Sequence, residues 1–240
     1  MKYRLVGSEM CIRDRLDVGN EEGGVVGVTF NNDGTKMYIV GETNGSDGKD
    51  DDIHEYILST PYDISTATFS VAIDHDPSMS GNPRQIRFNK DGSRMFIHMR
   101  FRNFTQHSKI FQYELSENFS ISSATYNGVF FHVGNEVTNV FHSFGFNQQG
   151  TMLYASDGSF SVAGSGVVHQ YSLSVAFDLS STITLLRSQD LEALADTTTA
   201  RGAREPSAVS FNQDGTRMFL VESTGNEINQ YTLSEAFNIA

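Results

Sequence analysis

Short runs in which hydrophobic residues alternate with polar ones occur along most of the chain, and helical periodicity is almost absent. The run Val26, Val28, Phe30 is an example, and such alternation is typical of a β-strand with one buried face. An Asn-x-Asp-Gly sequence follows it, in which glycine supplies the positive φ of a short hairpin and the asparagine or aspartate bonds the local backbone. A second strand, MYIV, comes next. The pattern predicts antiparallel hairpins.

The same blocks recur in the same order four times, at a period of about 60 residues. The hairpin blocks begin at Phe30, Phe88, Phe146 and Phe211. An Ile/Val-x-x-Tyr-x-Leu block follows each, with its tyrosine at Tyr56, Tyr113, Tyr171 and Tyr231. A third block begins at Tyr62, Phe119, Phe177 and Phe237. Each copy therefore predicts up to four strands, here called A to D.

Four-stranded antiparallel units repeated in tandem are typical of β-propeller blades, which bury both apolar faces only by stacking on neighbouring blades. We therefore predict an all-β propeller over residues 16–240, with blades near 24–76, 82–134, 140–188 and 205–240. About four blades are present, and we expect an open fragment of a six- to eight-bladed ring. The alternative is that residues 16–23 supply the strand that the last copy lacks, and that four blades close on themselves.

The repeats resemble those of YVTN-type and lactonase-like β-propellers. The shared pattern is a strand, Phe-x-x-Asp-Gly, a second strand and Ile-x-x-Tyr-x-Leu, and it spans residues 24–240. The most similar form is the FNxDGTKMY repeat of environmental bacterial and phage-associated sequences. The third copy departs from the pattern, because Gln149 stands where aspartate is usual. We expect its A–B turn to be looser.

Residues 1–15 share nothing with the repeats. Leu5 to Arg15, LVGSEMCIRDR, resembles the in-frame translation of a transposon-type sequencing adapter. We expect an artefactual leader that is not part of the fold, with the natural N-terminus missing. Cys11, the one cysteine of the chain, lies in this leader. A disulfide framework and a multi-cysteine metal site are therefore excluded.

The charge balance of the chain limits its partners. Its 17 Lys and Arg stand against 29 Asp and Glu, for a net charge of −12, so a nucleic acid partner is not expected. No apolar run is long enough to predict a membrane span. We expect a protein or a carbohydrate as the ligand.

The B–C and D–A loops lie together at one end of such blades and vary in length, whereas the A–B and C–D turns at the other end are nearly constant. Binding residues usually lie on variable loops of a rigid scaffold, so the sequence favours a site at the B–C/D–A end. Candidates for binding an anion or lining the channel there are Arg100, Arg102, His142 and Arg201. His54 and His169 lie in strand C, where packing is the preferred interpretation.

A run of acidic residues lies in the first B–C loop. Asp47, Asp50 and Asp52 could offer oxygen ligands to Ca²⁺. The run has no established calcium-loop spacing, so a solvated loop is favoured and no cofactor is expected.

Two functions from different classes remain open. The first is a non-enzymatic, exported binding or structural module, at a cell surface, on a virion or otherwise extracellular. It is favoured because no catalytic signature occurs and the sequence is dominated by turns and blade packing. The alternative is a lactonase or gluconolactonase-like hydrolase. It would use His75, Asp76, Arg204 and Glu205, and it rests on fold analogy alone.

Overall fold

The computed structural model describes residues 14–41, 52–74, 81–100, 109–133, 140–158, 166–191, 206–222 and 227–239. The first blade contains β1 (Val25–Phe30), β2 (Lys36–Gly41), β3 (Ile53–Leu58) and β4 (Ala67–Ile73). The second contains β5 (Asn82–Phe88), β6 (Arg94–Arg100), β7 (Lys109–Leu115) and β8 (Ala124–His132). The third contains β9 (Val140–Phe146), β10 (Met152–Gly158), β11 (Val167–Leu173) and β12 (Ile183–Asp190). The fourth contains β13 (Pro206–Phe211), β14 (Arg217–Glu222) and β15 (Glu227–Thr232).

Each blade is an antiparallel meander in which the strands lie in chain order. The first strands of the four blades (β1, β5, β9 and β13) contact one another in succession and form the inner layer. The prediction of an all-β propeller with four blades is therefore confirmed. None of the described residues forms a helix long and apolar enough to cross a bilayer.

Hydrophobic side chains from successive blades share a core, because the two faces of each strand point to different neighbours. The first strand of a blade faces the preceding blade through Ile86, Phe144 and Val209. The third strand faces the following blade through Ile53, Ile110 and Val168. One cluster therefore seals each of the three blade interfaces, and all six of these side chains are buried.

The shared pattern of the A–B turns is explained by local hydrogen bonds. Asn31 Oδ1 accepts from Lys36 N at 2.9 Å, and Asn31 Nδ2 donates to Thr35 Oγ1 at 3.0 Å. Asp33 Oδ1 accepts from both the backbone N and the hydroxyl of Thr35. The same asparagine contacts recur at Asn89, Asn147 and Asn212. The asparagines are turn formers, as expected.

The third block of each repeat ties the C–D turn to the A–B turn. Phe119 has a φ of 59°, a left-handed conformation that is uncommon for a bulky residue. Its backbone N donates to Gly92 O at 2.9 Å, and the equivalent bond recurs in all four blades. Both turns therefore lie at the same end of the blade, as the meander requires.

The segment that precedes the first blade covers part of that blade. Leu16 and Val18 pack on a cluster that includes Met37 and Tyr56. Val133 occupies the corresponding place between the second and third blades, and the same four residues, VGNE, begin at Val18 and at Val133. Residues 16–23 form no strand, so the alternative in which they complete the fourth sheet is wrong.

Candidate functional site

A cavity of roughly 560 Å³ lies at the A–B turn end of the inner strands, and residues of all four blades line it. The last residue of each inner strand contributes a phenylalanine to the wall: Phe30, Phe88, Phe146 and Phe211. The turns that follow contribute Asn32, Asn89, Asn147 and Asn212. The cavity is therefore aromatic along its wall and polar where the turns begin.

The aromatic wall is held by ring packing within each blade. Phe88 lies against Phe119, with ring centroids 5.4 Å apart, and Phe146 lies against Phe177 at 5.2 Å. The equivalent pairs in the first and fourth blades have centroids 5.5 and 5.6 Å apart. Tilted pairs at this distance are favourable. The wall is therefore preorganised.

Arg87 is the one long side chain at its level of the inner strands, where the other three blades have Thr29, Gly145 and Ser210. It lines the cavity. Burial lowers the pKa of its guanidinium, which nevertheless stays charged at neutral pH because the ordinary value is so high. Within the described ranges no hydrogen bond or ion pair satisfies this guanidinium. The Arg87 side chain is half-buried, so its guanidinium is open to the cavity, where an anion would supply it with hydrogen-bond acceptors.

The described cavity lining carries positive charge and no negative charge. Lys90 joins Arg87 in the lining, which includes no aspartate, glutamate or histidine. The nearby turn carboxylates are already engaged, since the Thr35 hydroxyl and amide hold the pKa of Asp33 below its usual value. The side-chain and backbone bonds of Ser93 do the same for Asp91. The described lining therefore suits an anion and contains no carboxylate or imidazole.

A second polar group lies between the second and third blades, on strands that lead toward the B–C/D–A end. Burial, and then the charges of Arg84, His142 and Arg100, lower the pKa of His98 well below its usual value. Burial and Arg100 also lower the pKa of His142. The structure thus brings together two of the predicted candidates, Arg100 and His142. No feature of the sequence had pointed to Arg84 and His98 as members of this group.

Most of the other predicted site residues lie outside the described residues. They are Asp47, Asp50, His75, Asp76, Arg102, Arg201, Arg204 and Glu205, so the predictions that involve them stay predictions. Asp52 immediately precedes β3 and is half-buried. In the described part of the chain no three His, Cys, Asp or Glu residues are grouped so that they could hold a metal ion.

The two strand C histidines are buried in the blades. His169 Nε2 lies 3.1 Å from Asp157 Oδ1, and His169 Nδ1 lies 2.8 Å from Ser188 Oγ. A serine hydrolase triad joins the same three residue types, but with the serine on Nε2 and the aspartate on Nδ1, so the two nitrogens are exchanged here. None of the three residues lines the cavity. His54 holds the same position in the first blade, 3.7 Å from Glu22 Oε2. We assign both contacts to packing.

The likeness to known proteins lies in the fold. No protein-family model matches the sequence, and no curated protein sequence matches it either. Two Bacteroides proteins, each named "putative 6-phosphogluconolactonase", have similar structures. The B. uniformis protein is 13% identical, with a TM-score of 0.54, over 88% of this chain and 51% of that one. The B. fragilis protein is 14% identical, with a TM-score of 0.54, over 87% and 50%.

Kuenenia stuttgartiensis hydrazine synthase is also similar, at 14% identity and a TM-score of 0.52, over 86% of this chain and 58% of that one. At these identities the likeness shows a lactonase-like propeller fold and nothing about activity. The chain spans about half the length of the two Bacteroides proteins.

Proposed function

We propose that the chain is a non-enzymatic binding module whose axial cavity takes a small anionic ligand, with an acidic carbohydrate as the ligand class. The observation that carries this proposal is the unpaired guanidinium of Arg87 in an aromatic cavity without a carboxylate in its described lining. A cavity of roughly 560 Å³ lies in the size range of small-molecule sites.

The lining matches such a ligand group by group. A guanidinium presents two parallel donors to a carboxylate, sulfate or phosphate. The phenylalanine rings offer apolar surface to the C–H face of a sugar ring, and the asparagine amides offer both donors and acceptors. Among the described residues of the lining, no histidine or carboxylate could transfer a proton. Binding without catalysis is therefore the favoured function, and an exported protein at a cell surface or on a virion would suit it.

The proposal is tested by calorimetric titration with glucuronate and with glucose, which differ at one carboxylate. We expect glucuronate to bind at least about tenfold more tightly than glucose, and Arg87→Met to remove that preference. Lys109→Met is the matched control, because Lys109 lies over the Phe130 ring and does not line the cavity. Equal affinity of the wild type and Arg87→Met for glucuronate, or no binding of it by the wild type, would overturn the proposal.

The likeness to proteins named as lactonases motivates a second candidate function. A hydrolase of this type would use His75, Asp76, Arg204 and Glu205 at the other end of the blades. Proton release from gluconolactone, followed by pH-stat with wild type, His75→Ala and Glu205→Gln, distinguishes the two functions. Turnover that both substitutions abolish and Arg87→Met leaves intact would favour the hydrolase.

A further inference from the structure

Equivalent residues of the four blades line the axial cavity at successive levels. The level just before the phenylalanines on the inner strands is formed by Thr29, Arg87, Gly145 and Ser210. The tips of the A–B turns, two residues after the phenylalanines, form another level with Asn32, Lys90, Gln148 and Gln213. At both levels the second blade contributes a cation and the other three blades contribute neutral residues. Two positive charges therefore lie on the same side of the cavity.

The two cations lie at different depths. Arg87 is half-buried in β5, whereas Lys90 is exposed at the tip of the turn. The two positions are three residues apart, so their Cα atoms are separated by at most about 11 Å. Phe88 lies between them in the chain and also lines the cavity. A ligand that reaches from the mouth of the cavity to Arg87 therefore meets a cation, an aromatic surface and a second cation.

The turn that carries Lys90 is held from two sides. Within the turn, Asn89 Oδ1 accepts from Arg94 N at 2.9 Å. From the first blade, Asn32 Nδ2 donates to Lys90 O at 2.6 Å, and the carbonyl of Asn32 accepts in turn from the Tyr62 hydroxyl at 2.9 Å. The backbone of the tip is therefore preorganised, which lowers the entropic cost of binding a ligand there.

The carboxylates near the mouth belong to their own turns. Asp91 directly follows Lys90, but its Oδ1 accepts from the backbone N and the hydroxyl of Ser93, at 3.0 and 2.7 Å. The equivalent residues of the first and fourth blades are engaged in the same way: Asp33 and Asp214. None of these carboxylates lines the cavity. The charge of its described lining is therefore set by Arg87 and Lys90.

The rest of the lining suits a ligand longer than one sugar. The cavity measures roughly 560 Å³, which lies well within the range of small-molecule sites, and a single hexose ring leaves much of it empty. The other three tip residues carry side-chain amides, which offer donors and acceptors to sugar hydroxyls. The mouth therefore provides polar partners for a sugar beyond the one that meets Arg87.

We infer that the ligand is an acidic oligosaccharide that carries carboxylates on two neighbouring sugars. This inference rests on the proposed function and extends it: one carboxylate binds the Arg87 guanidinium inside the cavity, and the other binds the Lys90 ammonium at the mouth. The guanidinium holds its carboxylate through two parallel hydrogen bonds, whereas the ammonium is a point charge on a flexible stem. Arg87 therefore positions the inner sugar, and Lys90 selects ligands that carry a second charge.

Calorimetric titration with glucuronate and with its linked dimer tests the inference. We expect the dimer to bind the wild type at least about tenfold more tightly than the monomer does. Lys90→Met should remove that gain and leave the affinity for the monomer unchanged, because the ammonium meets only the second carboxylate. Lys109→Met removes the same charge at a residue that does not line the cavity, so this matched control should keep the gain.

A disaccharide of glucuronate and glucose separates the second charge from the second ring. It carries one carboxylate, so we expect the wild type and Lys90→Met to bind it equally well. Tighter binding of this disaccharide by the wild type would show that Lys90 contacts the ring and not a second carboxylate, and it would overturn the inference.

Equal affinity of the wild type for the monomer and the dimer would overturn the inference, and so would a gain that survives in Lys90→Met. An equal loss of monomer and dimer affinity in Lys90→Met would also overturn it, since Lys90 would then act on the first carboxylate. Lys90 is exposed, so the variant should fold, and thermal unfolding checks this. A wild type that binds glucuronate through Arg87 but gains nothing from the dimer contradicts this inference alone, whereas a wild type that does not bind glucuronate contradicts the proposed function as well.

Discussion

The Phe119 ring lies directly on Gly92, at the place where the Cβ of any other residue would be. Gly92 has a φ of 76°, which glycine adopts without cost. The same aromatic residue on the same glycine occurs in the other three blades, at Gly34, Gly150 and Gly215. Each A–B turn therefore requires glycine both for its left-handed backbone conformation and for the space that the aromatic ring occupies.

We expect Gly92→Ala to lower the free energy of unfolding by about 3–5 kcal/mol, because it combines a left-handed alanine with displacement of the ring. Gly128 is the matched control. It also has a positive φ, of 79°, but nothing lies within 4 Å of the place that a Cβ would occupy there. Gly128→Ala should therefore cost only about 1–2 kcal/mol. Urea denaturation of both variants measures the difference, and equal losses would contradict the role of the ring.

The A–B turn of the third blade offers a stabilising substitution. Gln149 stands where the other turns have an aspartate that accepts two hydrogen bonds, as Asp91 does from Ser93. We expect Gln149→Asp to raise the midpoint of thermal unfolding at pH 7 by about 2 °C. The gain should vanish in acid. The folded-state pKa of the turn carboxyls is lowered, so their contribution is present above the unfolded pKa and is lost as pH falls through the folded one.

The control for this turn is Gln148→Asp, which adds the same charge at the neighbouring exposed position. A gain of the same size from Gln148→Asp would show that charge alone, and not the turn hydrogen bonds, is responsible.

His98 makes the stability of the chain depend on pH. It is completely buried, and neither ring nitrogen has a hydrogen-bond partner among the described residues. Its pKa is lowered when folded, so the unfolded chain takes up a proton near the ordinary value of about 6.5 while the folded chain does not. Stability is therefore retained above about pH 6.5 and falls below it, by up to about 1.4 kcal/mol per pH unit.

Val40 holds the equivalent position in the first blade, so we expect His98→Val to fold and to have a shallower loss of stability between pH 7 and pH 5. Chemical denaturation across this range measures the effect. His142, whose pKa is also lowered, should leave a residual slope. The same slope in the wild type and in His98→Val would show that His98 is protonated in the folded chain.

The hydrogen bond between Gln112 of the second blade and Leu179 N of the third can be tested against Gln230, the equivalent residue of the fourth blade, which is exposed. Gln112 is buried and accepts from Leu179 N, so Gln112→Ala leaves that amide unpaired and should cost about 1–3 kcal/mol. Gln230→Ala changes the equivalent but exposed residue. This substitution should change stability by less than about 0.5 kcal/mol. Similar losses of stability from both substitutions would contradict a stabilising role for the bond between Gln112 and Leu179 N.

The inner strands and the A–B turns were predictable from the sequence because their causes are local. Alternation marks Val28 and Phe30, and Asn31 bonds residues four and five positions further along the chain. The sequence shows that the third block recurs in every copy, but it does not show what holds that block in place. Phe119 is held by Gly92 of a turn much earlier in the chain, and only the folded blade brings the two together.

The candidate site was less predictable. Arg87 could have been found by comparing the repeats, because a cation stands there in place of Thr29, Gly145 or Ser210. The contact of His169 with Ser188 depends on strand register, which shifts between Gln170 and Tyr171, so it cannot be counted out along the sequence. Most of the candidate residues in the loops favoured as the binding end, among them His75 and Glu205, lie outside the described residues.

The central claim is that blade stacking seals both faces of the repeats, and thiol labelling tests it most directly. In a Cys11→Ser background, Ile110→Cys places the one cysteine between the second and third blades, and Val175→Cys places it on an exposed turn. We predict that the cysteine at 110 reacts at least about a thousandfold more slowly than the one at 175, because it is reached only by unfolding. Comparable rates in the native protein would contradict the account.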